Sequence, residues 1–402
     1  MPVNVLIIGA GIGGLALAQG LRRTGISVSV YERDRGPADR PQGYRLHLNP
    51  TGLRALRECL PQQVLEAFEA TSGRPAEIMT FYTENLRRLL TAKGRTEGHR
   101  SVSRDTFRNV LLSDLESLVR FGKTCTGYRY EPDGAVTALF GDGTTATADV
   151  LVAADGTGSR IRHQYLPHAE RLDTGMRTIA GRLPLTGRVR ALLPEVLFSG
   201  PATITAPGGA GMFVAVQEYP RQTGGDFVSW GLGARHTAMG ETSGLDGERL
   251  RSRALALTTG WHRNLRALIR DTDPAVVSAT AVRSAVPVSP WQPSTVTLLG
   301  DAIHSMTPAR GIGANTALRD AALLARGLAA ADRGERALLQ AIGDYETQMI
   351  EYGFAAVRAS LAELKRQTSL DSRAGLAIAR TALRVIDVVP PLKRRIFADL
   401  GQ

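Results

Sequence analysis

Two cysteines, four lysines and no long apolar run define what this 402-residue chain does without. Cys59 and Cys125 have no paired spacing, so neither a disulfide framework nor a cysteine-rich metal knot is expected. They read as reduced, buried thiols, as in a cytoplasmic protein. The most hydrophobic stretch is broken by Asn4, Gln19 and five glycines and has no basic leader before it. Neither a membrane span nor stable membrane insertion is therefore expected. Lysine occurs only at Lys93, Lys123, Lys365 and Lys393, so the net charge of +11 rests on arginines spread along the chain. With no basic aromatic platform, that scatter argues against nucleic acid as a partner. The charge is expected instead to steer anionic small molecules. No His/Cys cluster has metal-ligand spacing and no serine lies in a Gly-x-Ser-x-Gly elbow, so metal and hydrolase chemistry find no support.

What the chain does have is glycine, placed in three segments. The first, Val-Leu-Ile-Ile-Gly-Ala-Gly-Ile-Gly-Gly at 5–14, joins a β-branched apolar run to a helical pattern. Gly9, Gly11 and Gly14 form Gly-x-Gly-x-x-Gly where strand turns into helix. The first permits the turn, the second clears space for a pyrophosphate, and the third lets helix and strand pack closely. The helix should run from about Ile12 to Arg23 and stop at Gly25. A second strand, Ile26 to Tyr31, delivers Glu32, placed to accept a ribose diol. The other two segments are Ala-Ala-Asp-Gly-Thr-Gly-Ser-Arg at 153–160 and Leu-Leu-Gly-Asp-Ala-Ile-His-Ser-Met-Thr-Pro at 298–308.

Between them the texture alternates. Asn49-Pro50-Thr51 opens a helix that Pro61 ends, and another starts after Ser103 with Phe107, Val110, Leu111, Leu115 and Leu118 at helical spacing. Short strands follow at 128–130, 135–140, 144–147 and 149–154. From about 175 to 285, strand-like runs at 177–185, 196–206, 211–219 and 226–235 suggest a mostly antiparallel sheet. A single helix carrying Leu250, Leu255, Trp261, Leu265 and Leu268 comes after it. Residues 315–402 read as almost wholly helical, and the basic amphipathic tail around 378–397 is expected to pack on the first domain. The fold class is thus α/β, a Rossmann-like domain (1–174 and 286–402) interrupted by a sheet domain at 175–285, with a helical C-terminal region.

With those residues in hand, the chain resembles the class A flavoprotein monooxygenases, the para-hydroxybenzoate hydroxylase-like family. The glycine turn with Glu32, the Asp155-Gly156 pair and the Gly300-Asp301 motif match that family's three diagnostic sequences in order. The resemblance implies FAD held by Gly9, Gly11, Ile12, Gly13 and Gly14, by Glu32 and Arg33, and by Arg45 and Arg104. It adds Asp155, Gly300 and Asp301, then Pro308, Gly311, Gly313, Ala314 and Asn315 around the flavin. Gly311 and Gly313 would let backbone approach the ring, with positive φ expected at Gly313, before a helix starting near Asn315. His304 is expected to pack or hydrogen-bond rather than shuttle protons.

The implied reaction uses NAD(P)H and O2 and passes through a C4a-hydroperoxyflavin to hydroxylate or epoxidise an aromatic or polyketide-like small molecule of secondary metabolism. A base for phenolic substrates could come from His47, Arg182, Tyr219, Arg235 or His236. Strand alternation sets Phe213, Ala215, Gln217 and Tyr219 on one side of their strand, opposite Met212, Val214, Val216 and Glu218. Arg310 beside the oxygen site suggests an acidic substrate or a surface charge. Two other readings keep FAD: a non-redox cyclase of a natural-product pathway, and a flavin-bound sensor.

Overall fold

The computed structural model describes residues 2–37, 39, 45–73, 76–93, 98–219, 225–368, 373–389 and 393. Tyr44 and the tail from 390 to 392 and beyond 393 lie outside them.

Asn4–Ile8 is apolar on both faces because it sits in the middle of a parallel sheet. Ser27–Tyr31 and then Val119–Arg120 lie on one side of it, Val150–Ala153 and then Val296–Leu298 on the other. All four pairings are parallel. Helix Ile12–Arg23 packs against this sheet and against helix Gly313–Asp332, and a three-stranded sheet of Cys125–Tyr130, Val136–Phe140 and Thr145–Ala148 also packs on the parallel one. Asn49 caps the helix Pro50–Cys59 as expected, its side chain accepting the Gly52 N–H at 3.0 Å.

The second sheet has seven strands, in the order Ser278–Ala285, Arg171–Pro184, Phe227–Arg235, Gly211–Gln217, Ala202–Thr205, Ile78–Thr83 and Arg88–Lys93. Only the pairing of Ala202–Thr205 with Ile78–Thr83 is parallel. One face is closed by helices Gly247–Leu257 and Arg263–Arg270, with Met212, Val214, Trp230 and Leu232 packed among Leu250, Leu265 and Leu268. The opposite face carries Phe213, Ala215 and Gln217, and Gln217 accepts a hydrogen bond from Ser101 in the ribbon Arg45–Leu48/Arg100–Ser103.

The structure departs from the sequence reading at several points. Ile78–Thr83 and Arg88–Lys93 precede residue 175 yet hydrogen-bond into the second sheet. Helix Arg373–Val388 lies on that sheet's edge strand, Arg88–Lys93, rather than on the first domain. The run 196–206 holds a 3-10 turn, Glu195–Phe198, before its short strand. The single helix expected through Leu250 and Leu268 is two, divided before His262 where Gly260 takes φ +83°. The helix after Ser103 ends at Leu112, since Asp114 is left-handed at φ 63°, so Leu115 and Leu118 sit beyond it. The segment 298–308 does not pass straight from strand to the next long helix: it holds one helical turn at Asp301–His304 and runs into a 3-10 turn at Pro308–Arg310.

Candidate functional site

Four parallel strands end side by side: Tyr31 pairs with Ile8, Ile8 with Ala153, and Ala153 with Leu298. Each hands over at once to a singled-out segment: Glu32, the Gly9 turn, Asp155-Gly156 and Gly300-Asp301. This crevice beyond the carboxyl ends of parallel strands is where open α/β sheets bind ligands.

The three glycines of the first turn differ in what surrounds them. Gly9 takes φ +111°, and a Cβ there would lie 2.3 Å from the Ala154 carbonyl oxygen. A Cβ on Gly14 would strike the Gly9 carbonyl oxygen at 2.1 Å, so strand and helix touch backbone to backbone. Gly11 has nothing within 4 Å of its missing side chain, which leaves the space a pyrophosphate needs. The helix that follows has no side-chain cap at Gly11, so its first N–H groups remain donors for an anion.

Glu32 is buried, and its carboxylate accepts the Ala10 N–H at 2.7 Å and the Asp34 N–H at 2.9 Å. Arg33 beside it is exposed. The residue that completes this corner, Arg108, was not among the sequence candidates. Its Nε donates to the Ala10 carbonyl at 2.8 Å and an Nη to that of Pro37 at 2.9 Å, while its second Nη lies 3.9 Å from Glu32 and 3.7 Å from Asp34. The available signal was a charge next to Phe107 and Leu111 on the buried side of an amphipathic helix.

In the second segment, Asp155 Oδ2 accepts the Arg160 N–H at 3.1 Å and Oδ1 has no partner. Burial raises its pKa, against hydrogen bonds from Ser159 and Arg160. Arg162, also missed, ties this segment to the third by donating to the carbonyls of Thr157 at 3.3 Å and Ala302 at 2.9 Å.

In the third segment, Gly300 takes φ +63° and Asp301 is exposed. Pro308 opens the short 3-10 turn. The left-handed glycine is Gly311, at φ +64°. Gly313 instead begins the helix Gly313–Asp332, and its missing Cβ would meet only Met306 Cγ, at 3.8 Å. Positive φ was thus assigned to the wrong member of the pair. The helix has no side-chain cap at Ile312, leaving the first N–H groups, at Gly313 and Ala314, without a side-chain acceptor. Asn315 Oδ1 accepts the Asn49 N–H at 2.8 Å and its Nδ2 donates to the His47 carbonyl at 2.8 Å, fastening this helix to the strand Arg45–Leu48. His304 is buried against Asp320, Nε2 to Oδ2 at 2.6 Å.

Arg45 Nε is buried without a partner, and burial lowers the pKa of the guanidinium to about 10. Arg104 opens the helix Arg104–Leu112, whose N-terminus also lacks a side-chain cap. Around them gather three of the proposed bases. His47 Nε2 lies 3.0 Å from His99 Nδ1. Arg182 reaches Asp105 at 3.2 Å. Burial raises the pKa of Tyr219, whose hydroxyl lies by Ser103 and Thr106. Ser101 donates to Gln217 at 2.5 Å, joining the ribbon Arg45–Leu48/Arg100–Ser103 to the second sheet. Arg235 and His236 lie at the other end of their strand, where Arg235 donates to the Thr368 carbonyl at 3.2 Å. They do not join the cluster. Arg310 is exposed. No metal-binding group of His, Cys, Asp or Glu occurs among the described residues. Both thiols are buried, and burial pushes their pKa values up, to about 12 for Cys59 and about 11 for Cys125.

Open space at Gly11, three helix N-termini free of side-chain caps and a guanidinium whose buried Nε has no partner among the described residues fit a flavin dinucleotide. Comparison with known proteins agrees. The FAD binding domain family model matches residues 2–360, and the chain belongs to that family of flavoproteins. The dual O-methyltransferase/FAD-dependent monooxygenase elcB of Phaeosphaeria nodorum is 34% identical over 84% of this chain. The like-named CTB3 of Cercospora beticola is 33% identical over 86% of it. This chain spans less than half of either, 42% and 44%. The FAD-dependent urate hydroxylase of Klebsiella pneumoniae is 30% identical over 86% of this chain and 85% of its own. Among solved structures, a FAD-containing protein of Photorhabdus luminescens assigned as a monooxygenase superposes with a TM-score of 0.83 and 36% identity, covering 92% of this chain and all of its own. Klebsiella pneumoniae HpxO complexed with FAD and uric acid shares the fold at a TM-score of 0.80 and 24% identity, over 99% of this chain and 96% of its own.

Proposed function

We propose that this protein is an FAD- and NAD(P)H-dependent monooxygenase that transfers one oxygen atom of O2 to an aromatic or polyketide-like small molecule. The observation that supports this reading is the row of four strand ends, each delivering one segment of a nucleotide cradle, beside a seven-stranded second sheet. FAD, when bound, supplies the acceptor for the hydride of NAD(P)H and the means of activating O2. Glu32 and Arg108 fix the adenosine side of the cradle, and Arg45 and the Gly11 helix start meet the phosphates. The Gly313–Asp332 helix start turns its N–H groups toward the flavin ring. His47, Arg182 and Tyr219 stand where the ribbon meets the second sheet, positioned to orient a substrate hydroxyl, and the His47 imidazole is the one of them able to take its proton.

Relatives named as a urate hydroxylase and an aurachin C monooxygenase/isomerase support a small-molecule substrate. The test is a substrate screen on FAD-loaded protein that follows NAD(P)H oxidation and product mass together. The reading expects one compound to stimulate oxidation and gain one oxygen atom. Conversion of a compound without NAD(P)H consumption would replace it with the non-redox cyclase.

A further inference from the structure

Behind the Gly300-Asp301 motif lies a carboxylate that none of the roles above uses. Asp320, on the second turn of helix Gly313–Asp332, is fully buried. Its Oδ2 accepts the Gly300 N–H at 2.8 Å and meets His304 Nε2 at 2.6 Å, and its Oδ1 accepts the Tyr352 hydroxyl at 2.5 Å. The Tyr352 ring in turn lies beneath the Arg319 guanidinium, 3.7 Å from its centroid. A carboxylate this far from water persists only when donors engage its oxygens, and here three do.

Two of those donors bracket the one-turn helix Asp301–His304. Gly300 precedes it in a conformation that side-chain-bearing residues avoid, φ 63° and ψ −136°, and its carbonyl accepts the N–H of Ile303 at 3.1 Å and of His304 at 3.0 Å. His304 closes the turn, pressed against Gly353, where a Cβ would lie 2.7 Å from its ring. Asp320 holds both ends of the turn, so the backbone that carries the exposed Asp301 is fixed in place.

We propose that Asp320 is a positioning residue of the cofactor site, clamping Gly300 and His304 so that the Asp301 carboxylate is aimed at the FAD chain. This rests on the reading of Asp301 as a cofactor contact. A polar core network that only stabilises the fold would contain the same bonds, so the test is whether Asp320 acts through Asp301.

FAD is titrated into apoprotein carrying Asp320→Asn, Asp301→Ala or both, with affinity read from flavin fluorescence. Asp320→Asn is expected to weaken FAD roughly tenfold, as for one charge-assisted hydrogen bond lost by misdirection. In the Asp301→Ala background the same substitution is expected to cost nothing further, because the group it aims is gone. Tyr352→Phe, which removes one donor and keeps the ring, is expected to weaken FAD about two- to threefold in the wild-type background and not at all in Asp301→Ala. Effects that multiply in the double variants would overturn the positioning role while leaving Asp301 as a contact. Unchanged FAD affinity in Asp301→Ala alone would sink the Asp301 reading, and this proposal with it.

Discussion

Single residues in this molecule carry charge into places that water does not reach, and each needs a partner. For Arg45 no described residue offers one to Nε, and burial pulls the guanidinium down to about 10. A buried donor without an acceptor costs stability until one arrives. Arg45→Met is therefore expected to leave the apoprotein Tm unchanged or raised while weakening FAD about 10- to 100-fold, the worth of roughly 1.5–3 kcal/mol of charge-assisted bonding. Opposite signs in the two measurements are the signature; a lowered apo Tm with unchanged FAD affinity would make Arg45 a structural residue. Glu32 behaves differently, because it already holds Ala10 and Asp34. Glu32→Ala should lower both apo Tm and FAD retention, the latter by about 10- to 100-fold.

Glu346 has no such role and bears on pH instead. Only 3% exposed, it bonds Thr297 at 2.8 Å, and burial raises its carboxyl from 4.5 to about 7. Between those values the unfolded chain has lost the proton and the folded one keeps it, so stability is full below pH 4.5 and falls as pH rises through 7. The difference corresponds to roughly 3 kcal/mol. Glu346→Gln, which keeps an acceptor for Thr297, should be more stable than wild type at pH 8 and indistinguishable from it near pH 4.5. Parallel pH–stability curves for the two proteins would rule this out.

At the scale of elements, legibility followed how local the cause is. The first strand, its glycine turn and Glu32 were readable because strand burial, turn geometry and helix start all lie within one short stretch of chain. The same holds for Asn49-Pro50 at its helix and for the apolar alternation of Gly211–Gln217. Arg108 and Arg162 were not readable, since what distinguishes them is a distant carbonyl, Ala10 for one and Ala302 for the other. The helix division at Gly260 was hidden by leucines that keep helical spacing on both sides. Gly311 and Gly313 were seen as a pair, but which one needs the left-handed conformation depends on where the helix begins. That assignment separates two substitutions. Gly311→Ala should cost about 1–2 kcal/mol in stability for its positive φ. Gly313→Val should keep the fold, since its Cβ approaches only Met306, yet lose FAD or uncouple NAD(P)H oxidation from oxygenation to give peroxide. FAD absorbance with product and peroxide counted per NAD(P)H reads the outcome. Full occupancy with unchanged coupling would place this helix start away from the flavin.

For the whole molecule, the second sheet draws strands from both sides of residue 175, so the chain crosses between the sheets more often than its texture shows. Strand pairing at such separations leaves no local trace in Ile78–Thr83 or Arg88–Lys93, where neither sequence nor burial alternates cleanly along the strand. No described helix is long and apolar enough to cross a membrane. The amphipathic helix Arg373–Val388 has a different task, covering the sheet edge at Arg88–Lys93. Arg380 donates to the Thr205 carbonyl at 2.6 Å and pairs with Glu84, and Asp387 accepts the Thr91 N–H at 3.2 Å. An exposed edge strand with free N–H and C=O groups is a template for pairing with another chain. Ending the chain after Thr368 should therefore leave FAD bound, because the parallel sheet and its strand ends do not depend on this helix. The truncated protein should, however, associate as its concentration rises. Light scattering on both forms at matched concentrations and FAD content is the measurement. Equal scattering would mean the edge protects itself, and loss of FAD on truncation would mean the two sheets are coupled through this helix.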